Sequence, residues 1–193
     1  AGSSGNIGSF LLKNLVSNHN IDCIGRQNYK GQSDFTVLDL TNFKSVKQFS
    51  LKSKKYDILI FLVGLNHGKG TRSDLKRFTE INYNTLVILL NALQNENKLP
   101  YKIVFASTIS VYGEKYSQTF YDEAINPQPY SPYAATKLMA ENYLIDNFIE
   151  KSWLLRIAPV YSPDFLLNIY RRTKVGSTFF QVGKGLNQLS LCN

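Results

Sequence analysis

Soft metal ligands are scarce in this 193-residue chain: it has two histidines, His19 and His67, and two cysteines, Cys23 and Cys192. Neither pair has the spacing of a zinc site, so no metal centre is expected. Two distant cysteines are better read as free thiols in a reducing compartment than as a disulfide. No apolar run approaches the roughly 18 residues needed to span a bilayer. The longest, Ile58–Val63 and Leu86–Leu90, have strand or helix length. The chain opens on small polar residues, without the charged-then-apolar stretch of a secretory signal. A cytoplasmic protein with no membrane partner is therefore expected. Internal repeats and low-complexity tracts are absent too. The net charge is +8, yet Lys and Arg are scattered and not interleaved with aromatics, which argues against a nucleic-acid partner. A basic surface also suits a small anionic ligand.

With 44% hydrophobic and 19% charged residues, the chain can bury a sizeable core. Apolar, β-rich runs stand at Ile21–Gly25, Phe35–Leu38, Ile58–Val63, Tyr101–Ala106 and Trp153–Ala158. Helical patterns lie between them at Ile7–Asn18, Phe43–Leu51, Ser73–Asn97 and Pro132–Lys151, with a shorter one near Phe165–Lys174. Strands alternating with helices predict an α/β fold: a doubly wound parallel sheet with helices on both faces. A strand expected before Ala1 is missing from the pattern. After it, short strands are expected at Phe179–Val182 and Leu189–Leu191. This organisation predicts a dinucleotide-binding domain over 1–163 and the start of a smaller substrate-binding region over 164–193. The helices 73–97 and 132–151 carry apolar residues on more than one face (Ile81, Leu86, Leu89, Leu90 and Leu93; Leu138, Leu144, Ile145, Phe148 and Ile149), which suits either core packing or a homodimer.

The opening Gly2-Ser3-Ser4-Gly5-Asn6-Ile7-Gly8 has the form G-x-x-G-x-x-G and runs straight into an amphipathic helix. The first glycine permits a tight turn, the second close approach of a pyrophosphate, and the third close packing of helix on strand. Free N–H groups at the helix start, from Asn6 and Ile7 onward, would face the anion. Such an opening could also be a linker, a reading the helix directly behind it disfavours. The second strand ends in Arg26, where an acidic residue would select NAD; a guanidinium there favours the 2′-phosphate of NADP, or is a solvated loop residue. Asp39 and Leu40 are placed to meet the adenine, though such an aspartate also caps helices. Gly64 would let the backbone pass close to the cofactor.

Tyr133 and Lys137 are four residues apart and share a helix face. A free phenol ionises near pH 10, too high for a base at neutral pH. A neighbouring ammonium favours the phenolate and makes Tyr133 a usable proton shuttle. Pro132 fits the first turn of that helix. Ser107 and Thr108 end the preceding strand, where a hydroxyl enters the ligand crevice of such sheets; a turn-capping role is the alternative.

Five segments appear in order: the glycine loop; Ile81-Asn82-Tyr83-Asn84-Thr85; Ser107-Thr108 with Val111-Tyr112-Gly113; Tyr133 and Lys137 running into Leu138-Met139-Ala140-Glu141; and Leu155-Arg156 with Val160-Tyr161-Ser162-Pro163. Together they resemble the NAD-dependent epimerase/dehydratase family, the extended short-chain dehydrogenases of Rossmann type. The resemblance implies Tyr133 as acid/base, Lys137 holding the nicotinamide ribose, Thr108 as hydroxyl partner, and Ser107 and Asn82 in support. It implies NAD or NADP as cofactor and a nucleoside-diphosphate sugar as substrate, in surface polysaccharide synthesis. Ile109 and Ser110 stand where dehydratases of the family carry an acidic pair, which argues against 4,6-dehydration. Pro159 and Ser162 depart from common asparagine and glycine positions, and Arg156-Ile157-Ala158-Pro159-Val160-Tyr161 is closer to 4-epimerases and 4-ketoreductases. A non-catalytic cofactor sensor and a reductase of a non-nucleotide ketone remain the alternative readings.

Overall fold

In this computed structural model, residues 1–27, 35–65, 74–113, 121–163 and 165–180 are described. His67, Val182, Leu189–Leu191 and Cys192 lie outside them. The chain divides into two compact units, Ala1–Arg156 and Ile157–Asn193, a division seven residues earlier than the expected end at 163.

The first unit alternates helix and strand. Helix α1 (Asn6–Leu15) leads to β1 (Cys23–Gly25) and β2 (Phe35–Val37), which pair in parallel with Ile24 opposite Thr36. Helix α2 (Phe43–Lys52) follows and is capped by Asn42, whose side chain accepts the Ser45 N–H at 3.1 Å. Strand β3 (Ile58–Phe61) pairs in parallel with β4 (Lys102–Thr108), and β5 (Ser152–Ile157) lies on the other side of β4. Helix α5 (Pro132–Phe148) connects β4 to β5. Pro132 occupies the first turn as expected, where no N–H is needed, and Ser131 caps the helix by accepting the Ala134 N–H at 3.2 Å.

Ala1 and Gly2 join the two sets of strands. Gly2 N–H donates to the Ile24 carbonyl of β1 at 3.1 Å, and the Ala1 carbonyl accepts the Leu62 N–H, beyond β3, at 3.0 Å. The order across the unit is thus β2, β1, the opening residues, β3, β4, β5. This is the Rossmann-type arrangement, with its helices covering a parallel sheet.

Between β3 and β4 the expected single helix over 73–97 is divided. Helix α3 (Leu75–Thr79) passes through a π-helical turn (Glu80–Asn84) into α4 (Thr85–Asn95). The buried positions Phe78, Asn82, Leu86 and Leu90 explain the break. Three successive steps of four residues overshoot the 3.6-residue period by about 120° in total. A wider turn absorbs the excess and keeps all four residues on the sheet side.

The core joins Phe61, Ile103 and Phe105 of the sheet to Leu86, Leu89 and Leu90 of α4 and Ala140 and Leu144 of α5. Leu93 and Phe148 belong to it as well. Much of the apolar surplus expected on these helices is therefore spent inside the unit; Met139, Ile145 and Ile149 remain exposed.

The second unit holds α6 (Leu167–Thr173) and an antiparallel pair, β6 (Lys174–Val175) with β7 (Thr178–Phe179). Gly176, at φ +58°, makes the turn between them, a backbone conformation that suits glycine.

Candidate active site

Helix α5 places Tyr133, Lys137 and Glu141 at four-residue intervals along one stripe. Charged and phenolic groups here displace apolar ones from an inward face that otherwise carries Ala134, Ala140 and Leu144. Tyr133 forms a hydrogen bond with Thr108, the last residue of β4. Burial pushes the phenol above its ordinary value, and the Thr108 contact acts in the opposite direction. Thr108 also caps the 3₁₀ turn Ile109–Tyr112, its hydroxyl accepting the Ser110 N–H at 3.2 Å. The capping and site readings of Thr108 thus coexist in one side chain.

Lys137 is buried, with 3% of its surface exposed. Its ammonium donates to the Ala106 carbonyl at 2.9 Å and the Val63 carbonyl at 3.3 Å, and sits 4.7 Å from the Phe105 ring centroid. Burial pulls it down to about 8, while the Glu141 charge acts in the opposite direction. The expected pull of this ammonium on the phenol does not set the direction of the Tyr133 shift: burial dominates, and two carbonyls hold the ammonium.

Gly64 follows β3 at the same place. A Cβ on it would come within 3.2 Å of Lys137 Nζ and 3.6 Å of Asn82 Oδ1. Asn82 is fully buried on the π turn. Its carbonyl oxygen accepts the Leu65 N–H at 2.6 Å, and its amide donates to the Leu65 carbonyl and to Thr136 Oγ1, both at 3.1 Å. Asn82 therefore clamps the segment after β3 to α5.

The glycine loop reaches the same segment from the other side. Gly2, at φ +83°, lies so close to it that a Cβ would stand 2.9 Å from the Leu62 carbonyl carbon. A Cβ on Gly8 would be 2.4 Å from the Gly2 carbonyl oxygen, so only glycine lets α1 pack this closely. Among the described residues, a Cβ on Gly5, ahead of the first turn, would meet only the Gly2 carbonyl oxygen, at 3.5 Å. The loop and the Tyr133–Lys137 stripe thus flank one stretch, Leu62–Gly64.

The residues present fit a dinucleotide. The first turn of α1, with Asn6, Ile7 and Gly8, has N–H groups without helical acceptors and carries no acidic side chain. The Ser3 hydroxyl is buried and finds no hydrogen-bond partner among the described residues. A phosphate oxygen would satisfy it. Farther out, Arg26 is exposed at the end of β1, and its charge helps hold the Asp39 carboxyl below its ordinary value, after the hydrogen bonds from Thr41. Asp39 Oδ1 accepts from Thr41 N–H at 3.0 Å and from Thr41 Oγ1 at 2.8 Å; the cap of α2 is Asn42. The Leu40 side chain is in the core, which leaves its main chain for any ligand.

Residues 1–181 match the model of the NAD dependent epimerase/dehydratase family. The chain belongs to that family. It is 29% identical over 117 residues to the probable UDP-arabinose 4-epimerase 3 of Arabidopsis thaliana, covering 60% of this chain and 27% of that protein. It is 28% identical over 186 residues to the uncharacterized UDP-glucose epimerase YtcB of Bacillus subtilis (strain 168), covering 84% and 56%. Among solved structures it is similar to the UDP-N-acetylglucosamine 4-epimerase of Methanobrevibacter ruminantium M1 in complex with UDP-N-acetylmuramic acid: TM-score 0.69, 26% identity, covering 84% of this chain and 54% of that one. The chain spans from about a quarter to about half the length of these relatives.

For this epimerase/dehydratase-family chain, four site-forming residues escaped the sequence reading. Ser3 was hidden inside the glycine motif. Thr136 looked like filler between Tyr133 and Lys137, yet it receives the Asn82 amide and donates to the Pro132 carbonyl at 2.8 Å. Glu141 was seen only as part of a motif and Arg156 only as a marker. Their pairing could have been suspected from a carboxylate repeating the Tyr133, Lys137 interval on an inward face. Among the described residues no cluster could hold a metal ion, and no helix is long and apolar enough to cross a membrane.

Proposed function

We propose that the protein transfers hydride between a nicotinamide dinucleotide and a carbon of a nucleoside-diphosphate sugar, as a 4-epimerase or 4-ketoreductase. The observation that carries this reading is the Tyr133–Thr108 hydrogen bond set beside Lys137, on the same Leu62–Gly64 stretch that the glycine loop touches. When bound, the nicotinamide supplies the hydride acceptor and donor. The chain supplies alignment and proton control. Tyr133 Oη takes the proton from the sugar hydroxyl as the alkoxide forms and returns it on reduction. Thr108 Oγ1 orients that hydroxyl. Lys137, freed from one of its two carbonyls, holds the nicotinamide ribose and adds positive charge beside Tyr133. Ser3, Gly5 and the start of α1 receive the pyrophosphate. The uridine-linked sugars named for two of the relatives support a nucleotide-sugar substrate, and surface polysaccharide synthesis in the cytoplasm is the setting this reading assigns.

Arg26 supports NADP and a reductase; the Asp39 charge beside it offsets that cation and supports NAD and an epimerase. Assay of the nucleotide retained through dialysis separates the branches: stoichiometric NAD marks the epimerase, and empty protein that consumes added NADPH marks the reductase. Replacing Tyr133 by Phe should lower turnover by about 10³-fold or more while dinucleotide affinity stays within about threefold. Wild-type turnover in that variant would remove Tyr133 from the reaction.

We also propose a homodimer through α4 and α5. Exposed Met139, Ile145 and Ile149 support it. Sedimentation at micromolar concentration should give twice the chain mass; a monomer there ends the idea.

A further inference from the structure

Behind the Tyr133–Thr108 contact lies a second link between the same two elements. Ser107, the neighbour of Thr108 on β4, donates a hydrogen bond to Glu141 Oε1 on α5. Glu141 is fully buried. Its other oxygen receives Arg156 Nη2 of β5 at 2.8 Å and Nε at 3.1 Å. The Arg156 guanidinium in turn lies 4.7 Å from the Tyr112 ring centroid, on the 3₁₀ turn that Thr108 caps. One carboxylate thus ties together α5, the ends of β4 and β5, and the turn beyond β4.

A buried carboxylate costs several kcal/mol of lost hydration unless it is paired, which accounts for Arg156. It does not account for the carboxylate. An apolar pair of the same size holds a helix to a sheet as well or better. What such a pair cannot do is accept the Ser107 hydrogen bond. Ser107 and Thr108 are adjacent and both meet α5, so fixing the backbone through one fixes the aim of the other.

We propose that Glu141 is a positioning residue: by accepting the Ser107 hydrogen bond it holds the end of β4 in the register that keeps Thr108 against Tyr133. Arg156 makes that buried acceptor tolerable. The proposal rests on the hydride-transfer reading only for its effect on rate.

Two charge-free double variants isolate the acceptor: Glu141→Gln with Arg156→Leu, and Glu141→Leu with Arg156→Leu. The first keeps a carbonyl for Ser107; the second does not. The contact is read in the full chain, without substrate, as the NMR nuclear Overhauser effect between the Thr108 methyl and the Tyr133 ring. The Gln/Leu chain should retain it within about twofold of wild type, and the Leu/Leu chain should lose at least about threefold. Where turnover is measured, kcat should fall about 30-fold in Leu/Leu relative to Gln/Leu, with KM within about threefold, as expected for lost alignment. Equal Overhauser effects in the two doubles overturn the proposal, and so does equal kcat. Should the Leu/Leu chain fail to fold, Ser107→Ala breaks the same link with the ion pair intact; a wild-type Overhauser effect there overturns the proposal equally. A wild-type protein without turnover sinks the hydride-transfer reading alone, because the Overhauser comparison needs no substrate.

Discussion

Lys137 is a cation placed where water does not reach, held by the Val63 and Ala106 carbonyls. Burial brings its folded pKa to about 8 from an ordinary 10.5. The sign of the consequence follows from proton counts. Between those values the unfolded chain binds the proton and the folded chain does not, so stability rises with pH across the window. Below it both states are protonated and the full burial penalty applies. Replacing Lys137 by Met removes the titration. Wild type should therefore gain about 1.5 kcal/mol relative to Lys137→Met between about pH 8 and about pH 9.5, read as urea-unfolding free energies. The comparison is a difference, so the tyrosines that titrate higher cancel from it. A constant gap across that range would mean that the folded Lys137 keeps its proton as the unfolded chain does, and so that burial does not lower it. That Tyr133 and Lys137 share a helix face was legible from their spacing. The state of Lys137 was not, because the carbonyls that hold it come from β4 and from the segment after β3, 31 and 74 residues away.

The π turn at Glu80–Asn84 shows what an element contributes beyond its side chains. Asn82 on that turn satisfies both the N–H and the carbonyl of Leu65 and reaches Thr136 on α5. Among the described residues, those two backbone groups would otherwise stand half-buried with no secondary structure to pair them. Replacing Asn82 by Ala should cost about 3 kcal/mol in urea unfolding, the sum of about two stranded polar groups. Asn82→Asp keeps the acceptor for Leu65 N–H but turns a carboxylate oxygen toward the Leu65 carbonyl in a fully buried place, so a loss at least as large is expected. A loss under about 1 kcal/mol for the Ala variant would show that water replaces the amide. The strands and helices were readable in outline from apolar runs, and Pro132 announced the start of α5, which it begins. The π turn was written only in the four-residue steps Phe78, Asn82, Leu86 and Leu90, a pattern a uniform helix tolerates for a while before the face drifts. Of the expected strand Ile21–Gly25, Cys23–Gly25 pair with the described residues of β2, and the expected end at Gly25 is where β1 ends.

At the scale of the whole chain, the edges of β1 and β3 face each other across a groove of about 750 Å³, closed at one end by Ala1 and Gly2. Leu12 and Leu15 of α1, Phe49 of α2 and Leu93 of α4 line it, with Cys23 and Ile58 from the two strands. Strand edges and apolar walls in one cleft make a sticky surface: the backbone groups seek a ladder and the side chains seek cover. Ile58, more than half exposed, is the visible result. The 193-residue chain should therefore bind 8-anilinonaphthalene-1-sulfonate with strong emission while fully folded by circular dichroism. The dye is an anion and the chain carries +8, so the measurement belongs at about 0.5 M salt, where surface attraction is screened within a few ångströms. Leu15→Gln, which wets one wall without adding charge, should cut the emission at least about twofold. Emission at the level of an ordinary folded domain would mean that the groove closes in solution, and strong emission that Leu15→Gln leaves untouched would mean that the dye binds elsewhere.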